Sequence, residues 1–257
     1  MIDADNPGAA QSMTYGPQHY YGSLAPEGLS LIFSSYREKG VYEIYEDGWR
    51  EGIPSQSQFN QLTDRLGVSN APEISPDGKQ IIFARHVPET GLDEIWLMHR
   101  NGTRQHRLID TKGWDPTWSP DGKQVLFASD RGGSTQLWVV GVDGTSLRKV
   151  SDLPAIRGRS DWSPDGRYIV TDSGGSWEHE VYLMNSDGSN AHRISPPGGN
   201  SQGASFSPDS EWVAFTAYFD HPADPDGCEI YIMRIDGSDL RRMTDNTVCD
   251  YQPRWGP

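Results

Sequence analysis

The sequence predicts an all-β fold, a β-propeller of four-stranded antiparallel blades, and three observations carry the prediction. A turn of the form Ser/Ala-Pro-Asp/Glu-Gly recurs along the chain. Two apolar runs of strand length follow each copy. A second turn, Asn-Gly or Asp-Gly, then closes the unit.

The first turn occurs as Ala25-Pro26-Glu27-Gly28, Ser75-Pro76-Asp77-Gly78, Ser119-Pro120-Asp121-Gly122, Ser163-Pro164-Asp165-Gly166 and Ser207-Pro208-Asp209-Ser210. Its prolines are 50 residues apart once and 44 apart three times. Self-similarity at such a period marks stacked supersecondary units. The chemistry is that of a tight turn: Pro presets φ, Asp bonds its own backbone, and Gly takes the positive-φ corner.

The strands fall around these turns. A short first strand precedes each marker, as in Asp115-Pro116-Thr117-Trp118 and Arg159-Ser160-Asp161-Trp162. Second strands follow, such as Gln80-Ile81-Ile82-Phe83-Ala84 and Gln124-Val125-Leu126-Phe127-Ala128. Third strands begin at Glu94, Gln136, Glu180 and Glu229. These runs are almost continuously apolar, which signals burial on both faces, as between neighbouring blades. Asn101-Gly102, Asp143-Gly144, Asp187-Gly188 and Asp236-Gly237 are hairpin turns. The fourth strands are short and basic (His106-Arg107, Arg148-Lys149, His192-Arg193, Arg241-Arg242), as suits an exposed sheet edge.

The repeats run over about 15–66, 67–112, 113–157, 158–200 and 201–249, after a polar tail at 1–14 that is expected to be mobile. There are five second, third and fourth strands but six first strands, because Tyr251-Gln252-Pro253-Arg254-Trp255 also fits the pattern. The simplest closure uses both termini. Residues 250–257 then supply a closing strand to blade one, beside Tyr20-Tyr21-Gly22-Ser23-Leu24, and the ring has five blades; six is the alternative.

Composition agrees. The chain has 257 residues, with 28 Gly, 18 Pro, nine Trp and eleven Tyr, which suits one large domain of short strands. The formal charge of −14 argues against nucleic acid as a partner. It serves solubility, or a cationic partner. No run reaches the ~20 apolar residues of a membrane helix. The start, Met1-Ile2-Asp3-Ala4-Asp5, is not a signal peptide.

Trp-Ser-Pro-Asp-Gly-Lys, an apolar strand, Ile-Tyr/Trp-x-Met, Asp-Gly-Ser/Thr and Arg-x-Thr/Ser together resemble the propeller repeat of the TolB family over residues 20–257. Similar repeats occur in tricorn-like, prolyl-oligopeptidase-type and oligogalacturonate-lyase propellers. The resemblance implies the fold; one scaffold hosts many activities. TolB has a further N-terminal domain and six blades, so its role does not transfer.

In an antiparallel blade the two tight turns share one end, and the second-to-third loops and inter-blade crossings share the other. The copies diverge at the second end, where binding is expected. Arg85, His86, Asp115, Arg131, Arg159, Asp161, Trp177, His179 and His221 are the candidate ligand-binding residues. Guanidinium groups clamp carboxylates, and Trp177 can stack on a sugar or peptide. Inter-blade salt links and rim packing explain the same residues. No cofactor is required. Calcium is the one ion suggested, by Asp220, Asp224, Asp226 and Glu229 with Gly227 among them, although the spacing is not that of an EF-hand and a solvated acidic loop accounts for it. Cys228 and Cys249 lie in loops at one end of one blade. A disulfide between them would contribute about 3 kcal/mol and would suit an extracytoplasmic, periplasmic or secreted setting.

Three functions are expected in descending order. The first is a non-catalytic module that recognises a protein, peptide or glycan. The second is a carbohydrate-active lyase or glycosidase with a metal or carboxylates in its funnel. The third is a scaffold or self-assembling propeller. No Gly-x-Ser-x-Gly elbow, His-Glu-x-x-His or Cys-x-x-Cys accompanies the repeats.

Overall fold

The computed structural model describes residues 19–36, 40–50, 53–64, 67–157, 159–219, 227–246 and 248–256. The tail expected over 1–14 lies outside them. Among the described residues there are twenty strands, grouped in five antiparallel four-stranded sheets with no helix: a five-bladed β-propeller.

Blade one is β1 (His19–Leu24), β2 (Ser30–Ser35), β3 (Glu43–Arg50) and β4 (Ile53–Gln61). Blade two is β5 (Val68–Ile74), β6 (Gln80–Val87), β7 (Leu92–His99) and β8 (His106–Lys112). Blade three is β9 (Trp114–Trp118), β10 (Gln124–Ser129), β11 (Gln136–Gly141) and β12 (Arg148–Lys149). Blade four is β13 (Asp161–Trp162), β14 (Tyr168–Ser173), β15 (Glu180–Asn185) and β16 (His192–Arg193). Blade five is β17 (Gln202–Phe206), β18 (Trp212–Ala217), β19 (Glu229–Arg234) and β20 (Arg241–Arg242). Within each sheet the strands lie in sequence order, so each blade is a simple meander. Two compact units divide the chain: residues 12–133 with 139–148, and residues 134–138 with 149–256.

The marker turn is held by a repeated clasp. Ser75 Oγ donates to Asp77 Oδ1 at 2.7 Å, and the Gln80 N–H donates to Ser75 Oγ at 3.0 Å. Ser119 with Asp121, Ser163 with Asp165 and Ser207 with Asp209 repeat the arrangement. The Ser75 hydroxyl, then the Lys79 N–H, hold the Asp77 carboxyl down at about 2. A neighbouring donor stabilises the anion, so the turn is electrostatically set at any ordinary pH.

The second turn sets blade spacing. A Cβ on Gly102 would stand 2.7 Å from the Leu62 carbonyl oxygen of blade one. Gly144 and Gly237 stand likewise at 3.0 Å from Leu108 O and 2.8 Å from Ile194 O, and Gly188 abuts Val150 O. All four have positive φ. Glycine is required twice over, by backbone conformation and by contact with the preceding blade's fourth strand.

Four of the five first strands carry a bulge. The register shifts between Tyr20 and Ser23, Asn70 and Glu73, and Gln202 and Ser205, and again opposite Trp114–Thr117. A left-handed residue sits in each: Tyr21, Ala71, Gly203 and Asp115. Apolar faces then pack blade on blade. In one unit Ala25, Ile32, Ile44 and Leu62 of blade one meet Ile74, Ile81, Phe83 and Met98 of blade two. In the other, Val170, Val181, Leu183 and Ile194 of blade four meet Phe206, Val213, Phe215 and Met233 of blade five.

The expected closing strand over 250–257 differs. Residues 250–256 form no strand, and blade one takes its four strands from residues 19–61. The C-terminal segment instead lies on blade five as a further first strand would. Gln252 is left-handed (φ 55), and its N–H donates to Thr216 Oγ1 at 3.0 Å. Gly203 of blade five likewise donates to Asp172 Oδ1 of blade four at 3.1 Å. Trp255 packs on Ala214, Ile230, Ile232 and Met243.

Candidate functional site

The expected site residues divide into those the blades consume and those they leave available. Arg85 and His86 lie on β6, not in the loop beyond it. Arg85 is fully buried. Its Nη2 donates to Gln105 Oε1 at 2.8 Å, its Nε to Ser69 Oγ at 3.3 Å, and its guanidinium lies 4.5 Å from the Trp96 ring. Burial pushes its pKa down, against the pull of Glu43 and Glu94. That is a cation packed within blade two. His86 faces Asp93 across the hairpin at 3.1 Å, with both side chains well exposed.

Asp115 is the bulge residue of β9. Asp161 ties blade four to blade five: Ser205 Oγ donates to its Oδ2 at 2.9 Å, the Phe206 N–H at 3.0 Å, and Arg254 stands at 3.4 Å. Arg159 is buried, and Arg131 is exposed in the turn after β10. His221, Asp220, Asp224 and Asp226 lie outside the described residues. Glu229 is buried at the head of β19. It accepts from Thr244 Oγ1, from Arg242 Nη2 at 2.8 Å and from the Asn246 N–H at 3.1 Å. Burial works to raise its pKa, but these donors outweigh it and hold the carboxyl below its usual value. Among the described residues no three His, Cys, Asp or Glu gather as a metal site. Cys228 and Cys249 form the disulfide, with Cα atoms 4.5 Å apart.

Trp177 and His179 differ from the rest. Trp177 is 56% exposed and has φ 63, a left-handed conformation that bulky residues rarely adopt. Its ring meets Tyr218 edge-on at 5.4 Å. His179 is buried, and neither ring nitrogen has a hydrogen-bond partner. Burial, and then the nearby Arg157, push its pKa down, so the ring is neutral. The Ser201 hydroxyl is also buried without a partner, and its N–H donates to the His179 carbonyl at 2.7 Å. These groups sit where β15 and β17 begin, at the end opposite the marker turns.

Sequence reasoning missed a clasp that repeats at that end. Ser195 Oγ donates to Glu180 Oε2 at 2.7 Å while accepting from the Val181 N–H at 2.9 Å. Ser151 with Gln136, and Thr244 with Glu229, do the same. Thr63 with Glu43 completes the set. The signal was present as a Thr or Ser closing the fourth-strand segment of four blades (Thr63, Ser151, Ser195, Thr244), each paired with an acid or amide at the head of the third strand (Glu43, Gln136, Glu180, Glu229). Tyr218, Val248 and Tyr251 were also missed, because single apolar side chains in loops carry no pattern.

The sequence profile of the TolB beta propeller domain matches residues 52–174. A structure assigned to TolB from Agrobacterium tumefaciens superposes with a TM-score of 0.77 at 24% identity, covering 93% of this chain and 87% of that one. Over residues 52–174 the chain is thus similar to the TolB β-propeller domain. TolB from Acinetobacter baumannii gives the same TM-score at 23% identity, with 92% of this chain covered but only 56% of that protein. An oligogalacturonate lyase from Vibrio parahaemolyticus gives 0.62 at 17%, over 88% and 65% of the two chains. An uncharacterised protein of Agrobacterium fabrum is 28% identical over 104 residues, which is 40% of this chain and 33% of that protein; the match thus spans a third of the curated relative. The structural likenesses fix the fold alone. No helix among its described residues is long and apolar enough to cross a membrane.

Proposed function

We propose that this TolB-type propeller is a non-catalytic recognition module, working outside the cytoplasm, that binds a protein, peptide or glycan at the end of the blades opposite the marker turns. The observation that carries the reading is Trp177. Holding a large side chain at positive φ costs about 1–2 kcal/mol, and exposing its ring gives up apolar burial. Packing gains nothing from that combination; recognition does. The Cys228–Cys249 disulfide supports an oxidising compartment.

The test is to pan a random peptide library and a glycan array on the protein and on Trp177→Gly. Glycine suits the φ of 63 and removes the ring. Ligands retained by the wild type and lost by the variant are the expected result. Turnover of oligogalacturonides or aryl glycosides by the pure protein, or an absence of any Trp177-dependent ligand, would overturn it.

A further inference from the structure

We infer that the loop end of blades four and five is a docking surface for a basic, apolar polypeptide segment, one of whose cationic side chains stacks on Trp177 beside Glu178. The inference rests on the recognition reading above and names the chemistry of its ligand.

Three exposed apolar side chains lie along one strip. Trp177 rests on Tyr218, and the Tyr218 hydroxyl is 3.8 Å from Cys249 Sγ. Val248, 60% exposed, precedes that cysteine, and Tyr251, 48% exposed, follows two residues on. The strip is pinned rather than loose. The disulfide ties residue 249 to residue 228, the Asp250 N–H donates to the Cys228 carbonyl at 2.9 Å, and the Val248 N–H donates to Asn246 Oδ1 at 2.8 Å. A surface already ordered loses little entropy when a partner docks.

Charge selects the partner. Glu178, exposed, follows Trp177 directly in the chain, and Asp250 lies between Cys249 and Tyr251. Four arginines of these blades are engaged elsewhere. Arg254 turns to Asp161, while Arg167, Arg234 and Arg241 are held by Asp165, Glu211 and Asp239 near the tight turns at the other end. Arg242 is spent on Glu229 and Asp245, and Arg157 stands by His179. An exposed indole next to a carboxylate attracts Lys or Arg through its π face and the acid together. A second copy of this chain, at −14, and acidic peptides are disfavoured by like charge.

The experiment measures fluorescence anisotropy of a short labelled peptide alternating Lys/Arg with Phe/Val, against a counterpart alternating Asp/Glu with Phe/Val. The basic peptide should bind and weaken as salt rises. Trp177→Gly and Glu178→Lys should each reduce its affinity by about tenfold or more. Leu29→Ala, which removes an exposed apolar side chain elsewhere, should leave it unchanged. Equal binding of the acidic peptide, or full binding by both site variants, would overturn the inference. So would self-association that Trp177→Gly abolishes. If library ligands depend on Trp177 but are not basic, the ligand assignment fails and the recognition reading stands. If no ligand depends on Trp177, both fail.

Discussion

Substituting Gly102 by alanine tests whether the Asn-Gly and Asp-Gly turns set the distance between blades. At φ +80 an alanine costs about 1–2 kcal/mol in backbone strain. Its Cβ would also stand 2.7 Å from Leu62 O, where ordinary contact begins at 3.4 Å. A backbone oxygen in a packed sheet cannot swing aside, so blade two must retreat from blade one by a good part of an ångström, at a further ~1–3 kcal/mol. That retreat also strains the Gln105 amide, which donates at 2.9 Å to both Leu62 O and Gly102 O and supports Arg85. The expected loss is about 2–5 kcal/mol in urea unfolding, or roughly 10 °C in melting temperature for a chain of this size. Gly166→Ala is the control. Its φ is +75, but nothing lies within 4 Å of its Cβ, so only the backbone strain remains. If the two variants lose the same stability, the glycine-to-carbonyl contact does not space the blades.

Three further outcomes are expected. Because the His179 pKa is lowered on folding, its stabilising effect is full above the ordinary value near 6.5 and is lost as pH falls below it, when the unfolded chain takes up a proton that the fold refuses. The unfolding free energy from urea titration should therefore drop between pH 7.5 and 5.5, by at most about 1.4 kcal/mol per pH unit, and His179→Gln should flatten the slope; an unchanged slope in the variant removes His179 as its source. Ser195→Ala leaves Glu180 short of a donor and the Val181 N–H short of an acceptor, for about 1–3 kcal/mol, and restoration by Ser195→Thr separates the hydroxyl from packing. Reducing the Cys228–Cys249 bond should lower stability by about 3 kcal/mol and speed tryptic cleavage after Arg254; equal cleavage rates would show that the bond does not pin the C-terminal segment.

Most of the architecture was legible because a repeat writes its local physics several times. Pro164, Asp165 and Gly166 mean little alone, but the same turn 44 residues on at Pro208 fixes period and register together. The loop end was legible only in outline. Trp177 and His179 stand out in sequence as divergences between copies, but the exposure and left-handed φ of Trp177 are properties of a folded backbone. Arg85 misled because it occupies the end of a strand, where a buried guanidinium reads in sequence like an exposed one. Asp161 misled for a related reason: an acid that accepts the next blade's Phe206 N–H has the same sequence signature as an acid waiting for a ligand. The C-terminal segment has the residues of a first strand but forms none: Gln252 and Trp255 seat against blade five, and blade one takes its first strand from His19–Leu24.

That segment bears on how such a protein changes size. Residues 250–256 use on blade five the same left-handed residue, side-chain acceptor and aromatic plug that blade five's own first strand uses on blade four. The seat between blades is therefore a standard fitting, made by one copy and accepted by the next. Duplication or loss of one 44-residue unit in a gene would present no new surface to solve, only the same joint made once more or once fewer. Lineages sharing this joint are free to differ in blade number while keeping the loops above it for whatever they bind.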